Sequence, residues 1–190
     1  MAGVWSRIVH CTDDLLGVVL EWDRRTVQTI AQLSWLRRFA RVFLTATYLG
    51  DGYLWGSLGL GLILFGGTVD RIRVVIGLGV TIVNMFVFRF IKLMVGRIRP
   101  TDAMPKLRSR VIDGYSFPSG HATTSFGLAW VVAASYPYLP VQIAVYSAAG
   151  LISFSRVYVR EHYPLDVLFG AALGSAIACL LFPLFGWILL

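Results

Sequence analysis

The chain has 190 residues, 57% of them hydrophobic and 14% charged, with a formal net charge of +7 and a mean hydropathy of +0.71. A soluble domain normally carries about a quarter charged residues, so this composition excludes an ordinary soluble globular protein. A transmembrane helix needs ~20 mostly apolar residues, and several segments qualify, so the chain reads as an all-α, polytopic transmembrane bundle.

The opening residues "MAGVWSRIVHCTDD" lack a basic segment followed by an apolar one, so no cleavable signal peptide is expected. In "DDLLGVVLEWDRR" the charges lie too close together for a span. "SWLRRFARVFL" (34–44) predicts an amphipathic helix with Ser34 as its N-cap. Leu36, Phe39, Ala40 and Phe43 share one face of it, and Arg37, Arg38 and Arg41 share another. Such a helix either lies in the headgroup plane, drawn to anionic lipid, or packs on the bundle. Residues 1–50 are therefore read as an N-terminal interfacial segment and 51–190 as the transmembrane domain. Within the latter, five spans are predicted at 52–69 (A), 73–95 (B), 121–139 (C), 141–159 (D) and 165–190 (E). "DRIR" separates A from B and "YPYLP" separates C from D, short links that force antiparallel hairpins. The glycines of "GSLGLGLILFGG" and "GAALGSA" suit close helix approach in lipid. Cys11 and Cys179 are expected to be free thiols.

Alternating spans bring the end of B, the start of C and the D–E turn to one membrane surface. Lys92 and Arg99 lie seven residues apart, two helical turns, and Arg156 sits near the end of D. Those three cations suit an anion with several oxygens, since guanidinium grips phosphate through paired hydrogen bonds. "PSGH" opens span C, so the amides of Ser119 and Gly120 are expected to point outward from a helix N-terminus toward an anion. In "HYPLD", Pro164 suits the first helical position, and Asp166 one turn in can reach back to His162. A carboxylate on one ring nitrogen fixes the tautomer and leaves the other free to attack. His121 is then a second imidazole across the anion, placed to protonate a leaving oxygen. Singly, each arginine is more often an interfacial anchor. Two of only three histidines beside clustered cations instead predict a phosphate-handling site.

These stretches resemble the three-part signature of the type 2 phosphatidic acid phosphatase superfamily. K-x6-R-P appears as "KLMVGRIRP" (92–100), P-S-G-H as 118–121 and S-R-x5-H-x3-D as "SRVYVREHYPLD" (155–166), with every fixed position matched. The resemblance covers roughly residues 50–190. It implies hydrolysis of a phosphate ester or diphosphate through a phosphohistidine, with no cofactor and no metal. It also implies roles: His162 as nucleophile, Asp166 as its orienting partner, and His121 as general acid and then base. Lys92, Arg99, Arg156, Ser119 and the Gly120 amide would hold the phosphoryl oxygens. The vanadium haloperoxidases share this pocket, but five spans and the small size argue against their activity here.

A membrane phosphatase implies a membrane lipid as substrate and the bilayer as its setting, with no nucleic-acid partner. The candidates are undecaprenyl diphosphate, phosphatidylglycerol phosphate, phosphatidic acid and a phosphorylated lipid A. The loop 101–115, with Lys106, Arg108 and Arg110, is either a headgroup reader or a solvated basic loop. Of 17 Lys and Arg residues, 15 fall on the motif side and only Arg71 and Arg73 opposite; without Lys92, Arg99 and Arg156 the ratio is 12 to two. Positive-inside reasoning and the lack of a span before residue 50 then point to a cytoplasmic site in a bacterial inner membrane, although many bacterial members of the family work on the outer leaflet. Two rivals remain: a phosphotransferase with the same histidine chemistry, and a non-catalytic phospholipid-binding or transport protein.

Overall fold

In the computed structural model, which describes residues 2–100 and 114–189 and side chains from residue 16 onward, the chain is a succession of helices. α1 (Ala2–Gln32) is followed by a 3₁₀ segment (Ser34–Phe39), α2 (Ala40–Tyr48) and a π-helical turn (Leu49–Tyr53). Then come α3 (Leu54–Phe65), α4 (Thr68–Val95), α5 (Gly120–Ser135), α6 (Leu139–Tyr158) and α7 (Pro164–Leu189). Among the described residues there is no β-strand, only an isolated antiparallel bridge between Ile98 and Tyr115. Lys106, Arg108 and Arg110, like the side chain of Cys11, fall outside what is described.

α5 is the central helix, packing most extensively against α7, then α6 and α4. Its buried positions are mostly small: Ala122, Thr123, Ser125, Gly127, Ala129 and Ala133. α7 meets it with Gly170 and Gly174, where a Cβ would land on the Ser119 carbonyl oxygen (2.7 Å) and on the Thr123 backbone. The expected role of "GAALGSA" as a close-packing stripe is therefore seen. α4 and α7, with 28 and 26 residues, are each long and apolar enough to cross a membrane. Their outward faces carry exposed Phe86, Phe90, Leu180 and Trp187, as a lipid-facing surface would.

Several sequence expectations need correction. "DRIR" lies inside α4; the chain turns at Gly66–Gly67, where the Asp70 carboxylate accepts the Gly67 amide (2.9 Å) and starts the helix before the arginines. Span A shrinks to the 12-residue α3, because the π-helical turn with Gly52 at φ 109° takes up residues 52 and 53 and the chain turns at Gly66–Gly67 into α4. Of the α3 glycines, Gly56 and Gly61 have nothing within 4 Å of a built Cβ, and only Gly59 faces a neighbouring helix, with Val74 Cγ1 of α4 at an ordinary contact distance of 3.7 Å. Ser34 is not a cap. The break falls at Leu33, with a 3₁₀ turn after it. Leu36 and Phe43 are buried against Tyr158 and Val159 while Arg37, Arg38 and Arg41 stay exposed, so this segment packs on the bundle. Cys179 is a free thiol.

Candidate active site

Local backbone chemistry brings the three motif stretches together. α4 stops at Gly96, left-handed at φ 62°, whose amide returns to the Lys92 carbonyl (3.0 Å). The returning chain is tied down where the Ser116 amide donates to Arg97 O (2.7 Å) and Lys92 Nζ donates to Tyr115 O (3.2 Å). Ser119 caps α5, its hydroxyl accepting the Ala122 amide at 3.4 Å. α6 ends in a tight turn with Arg160 left-handed (φ 59°), so that the Glu161 and His162 amides both donate to Arg156 O (3.0 and 3.2 Å). A non-glycine residue in that region costs about 1–2 kcal/mol, and here it turns His162 back toward α5. Pro164 begins α7 as expected.

The result is a cavity of about 660 Å³ lined by Lys92, Arg99, Gly120, His121, Arg156 and His162, within the range of small-molecule sites. His162 is 2% exposed. Its Nδ1 lies 2.7 Å from the Ser116 carbonyl; a carbonyl only accepts, so Nδ1 carries the proton and Nε2 keeps the lone pair. Burial, reinforced by the charges of Arg156, Arg99 and Lys92, pushes the His162 pKa well below the ordinary imidazole value. The ring is thereby kept neutral. The carboxylate of Asp166 stands 3.8 Å from His162 Nδ1, within ionic reach but beyond a hydrogen bond. It is drawn instead to Arg97 Nη1 (2.6 Å) and to the Tyr163 amide (2.9 Å). The tautomer is therefore set by the Ser116 backbone, and Asp166 supplies charge beside the ring.

His121 Nε2 lies 2.7 Å from Asp51 Oδ1, on the π-helical turn. That approach needs glycine at position 50, where a Cβ would meet His121 Cδ2 at 2.8 Å and Ile152 Cγ2 at 2.5 Å. The hydrogen bond from His121 holds the Asp51 carboxyl below the usual carboxylate range, against the opposing effect of burial. Among the cations, Arg99 is paired with Glu161, and Arg156 Nη2 is 3.9 Å from the same carboxylate. Arg156 is 1% exposed, and its Nε and Nη1 have no hydrogen-bond partner among the described residues. Buried donors without acceptors are costly, and an anion in the cavity would satisfy them.

Ser119 departs from its expected place. Its amide donates to Asp166 O (3.0 Å) rather than into the cavity, because the starts of α5 and α7 lie side by side. Gly120 does line the cavity, and a Cβ there would meet the Phe88 ring at 2.9–3.0 Å. Sequence reasoning missed Asp51, Glu161 and Arg97, together with Arg89, which also lines the cavity, and Asp23, a second carboxylate bonded to Arg97. Arg89 lies at i−3 from Lys92, so helical spacing pointed to it, and Glu161 adjoins His162 within the third motif. Asp23 gave no sequence signal.

The model of the PAP2 superfamily matches residues 73–189. The chain belongs to that superfamily. It is 32% identical over 109 residues to a lipid A 4'-phosphatase of Bacteroides thetaiotaomicron, covering 54% of this chain and 48% of that one. It is 33% identical over 140 residues to an undecaprenyl-diphosphatase of Sulfolobus acidocaldarius, covering 69% and 63%. The chain thus spans about half to under two thirds of the length of these curated relatives. Among solved structures, a transmembrane PAP2-type phosphatidylglycerolphosphate phosphatase from Bacillus subtilis aligns with a TM-score of 0.70 at 25% identity, over 90% of this chain and 88% of that one. Aquifex aeolicus LpxE aligns with a TM-score of 0.67 at 23% identity, over 84% and 93%. The all-α membrane-bundle architecture agrees with both, and the protein is a membrane protein.

Proposed function

We propose that the protein is a lipid phosphatase that cleaves a phosphate monoester or diphosphate through a phosphohistidine on His162. The observation that carries this reading is the single cavity shared by a neutral His162, a second imidazole at His121 and the buried, under-bonded guanidinium of Arg156. In the first step Nε2 of His162 attacks phosphorus, the bond to the lipid oxygen breaks, and protonated His121 gives that oxygen its proton. Asp51 stabilises the protonated form of His121. In the second step His121 takes a proton from water, which attacks the phosphohistidine and releases inorganic phosphate. Lys92, Arg99, Arg156 and the Gly120 amide hold the phosphoryl oxygens as charge redistributes, while Asp166 offsets the positive charge that builds on His162. Ser119 contributes by capping α5.

A lipid substrate is supported by a second, apolar cavity of about 390 Å³ between α3, α4 and α5, which shares Gly52, Thr81 and Thr124 with the polar one. A phosphorylated headgroup then occupies one compartment while its tail extends into the other. The relatives' names supply the substrate classes: lipid A phosphate and undecaprenyl diphosphate, with phosphatidylglycerol phosphate from the structural neighbour and phosphatidic acid as the simplest member. The excess of basic residues on the motif side supports a site facing the cytoplasm from a bacterial inner membrane.

The test is phosphate release by the purified protein from these four lipids with EDTA present, beside the His162→Ala variant. Release that survives EDTA and falls by about 10⁴-fold or more in the variant is expected. Inverted inner-membrane vesicles should then release phosphate from a short-chain soluble analogue without detergent. Equal release by His162→Ala would sink the assignment of the nucleophile, and activity confined to right-side-out vesicles would reverse the sidedness.

A further inference from the structure

Arg97 is not a fixed position of the three-part signature, yet its guanidinium joins two distant parts of the chain. Nη1 donates to Asp166 Oδ1 and Nη2 to Asp23 Oδ2, both at 2.6 Å, and the group lies 4.0 Å from the Tyr163 ring centroid. Asp23 belongs to α1, far from the motifs in sequence, but is fully buried. Its other oxygen accepts the Leu165 amide in the first turn of α7 at 3.0 Å. Asp166 likewise takes Arg97 on one oxygen and the Tyr163 amide on the other. Every oxygen of the two carboxylates therefore has a donor. A guanidinium suits this arrangement because its planar fork can serve two carboxylates at once. One turn along α1, Val27 is buried with Ala122, Val157 and Val167, so α1 is held against the helices that carry the site. Burial raises the Asp23 pKa, opposed by Arg97 and the Leu165 amide.

We propose that Asp23 is a positioning residue of the active site: acting through Arg97, it fixes the carboxylate of Asp166 beside His162. Without Asp23, Arg97 keeps one carboxylate of two and can rotate, taking Asp166 with it; small displacements at a reacting centre can cost about 10²-fold in rate. This gives the N-terminal helix a catalytic purpose, and it rests on the reading of His162 and Asp166 proposed above. A purely anchoring role for Asp23 is the alternative, and a double-mutant cycle separates the two.

The experiment measures kcat and KM for dioctanoyl phosphatidic acid with the full chain carrying D23N, D166N, both, or H162A, each checked for folding by size exclusion and melting. D23N should lower kcat by about 10–100-fold with KM within about twofold, and should cause no further loss in the D166N background. Unchanged kcat in D23N, a change in KM alone, or the same fold-loss with and without Asp166 would overturn the proposal while H162A still abolished activity. An H162A protein as active as the wild type would remove the underlying reading and this proposal with it. Should D23N fail to fold, R97K takes its place in the cycle: an ammonium cannot span both carboxylates, so a loss of kcat that disappears with D166N is expected. Full kcat in R97K would overturn the proposal.

Discussion

The two ends of the bundle each carry a cluster of charged and aromatic groups, and they are built on opposite plans. At the far end, Asp70 accepts from the Gly67 amide (2.9 Å), the Tyr136 hydroxyl (2.6 Å) and Arg73 (3.2 Å), with Arg73 lying 4.7 Å from the Tyr136 ring centroid. Arg73 and Asp70 both remain about a quarter exposed. That carboxylate is saturated with donors and rests near water. At the site end, Arg156 is fully buried and, among the described residues, short of acceptors, although Asp51 and Glu161 stand near. The contrast teaches that counting charges does not distinguish a structural ion cluster from a ligand site. What distinguishes them is which partner is left incomplete, and how far from water.

The contrast can be broken most directly at Arg156. Replacing it with alanine removes the under-bonded donors, and kcat/KM for lipid phosphate should fall by about 10²–10³-fold, as for other donors aimed at developing charge. Near-normal turnover would mean that those donors do not meet the substrate. A smaller effect concerns pH. As the proposed nucleophile, His162 must be neutral to attack, and burial holds its pKa well below the ordinary imidazole value, so the acid limb of kcat/KM should fall clearly below pH ~6.5. At one unit below that value an unshifted imidazole would be only about one-tenth neutral, so the profile decides between the two cases. Smallest of all should be Tyr136→Phe at the far end: kcat within about twofold and a melting temperature lowered by at most about 4 °C. A large loss of activity there would show the two ends to be coupled.

Much of the site was legible because the polar residues of a membrane chain are few. With three histidines, the convergence of His121, His162, Lys92, Arg99 and Arg156 followed from alternating helices and the motif positions. The fold class was legible from composition for the same reason. Helix ends were harder: "DRIR" looked like a loop because charges are costly in lipid, yet Asp70 caps α4 and the arginines lie within its first turns. The partners of the proposed catalytic groups were hidden. A backbone carbonyl such as that of Ser116 has no sequence signature, and it displaces Asp166 as the group bonded to His162. Asp51 reaches His121 only through the π-helical turn and Gly50, and Asp23 is buried by the docking of α1 through Val27 and the Leu165 amide, none of which periodicity reveals.

The two cavities that meet at Gly52, Thr81 and Thr124 have a consequence for what concentration means to this protein. With a polar chamber bordering an apolar one, a lipid substrate of the proposed kind would be delivered sideways, by diffusion within the leaflet, and would never have to leave the bilayer. Occupancy of the site is then governed by the mole fraction of substrate among its neighbouring lipids. The same number of molecules per litre, diluted into more membrane or more detergent, is a weaker supply.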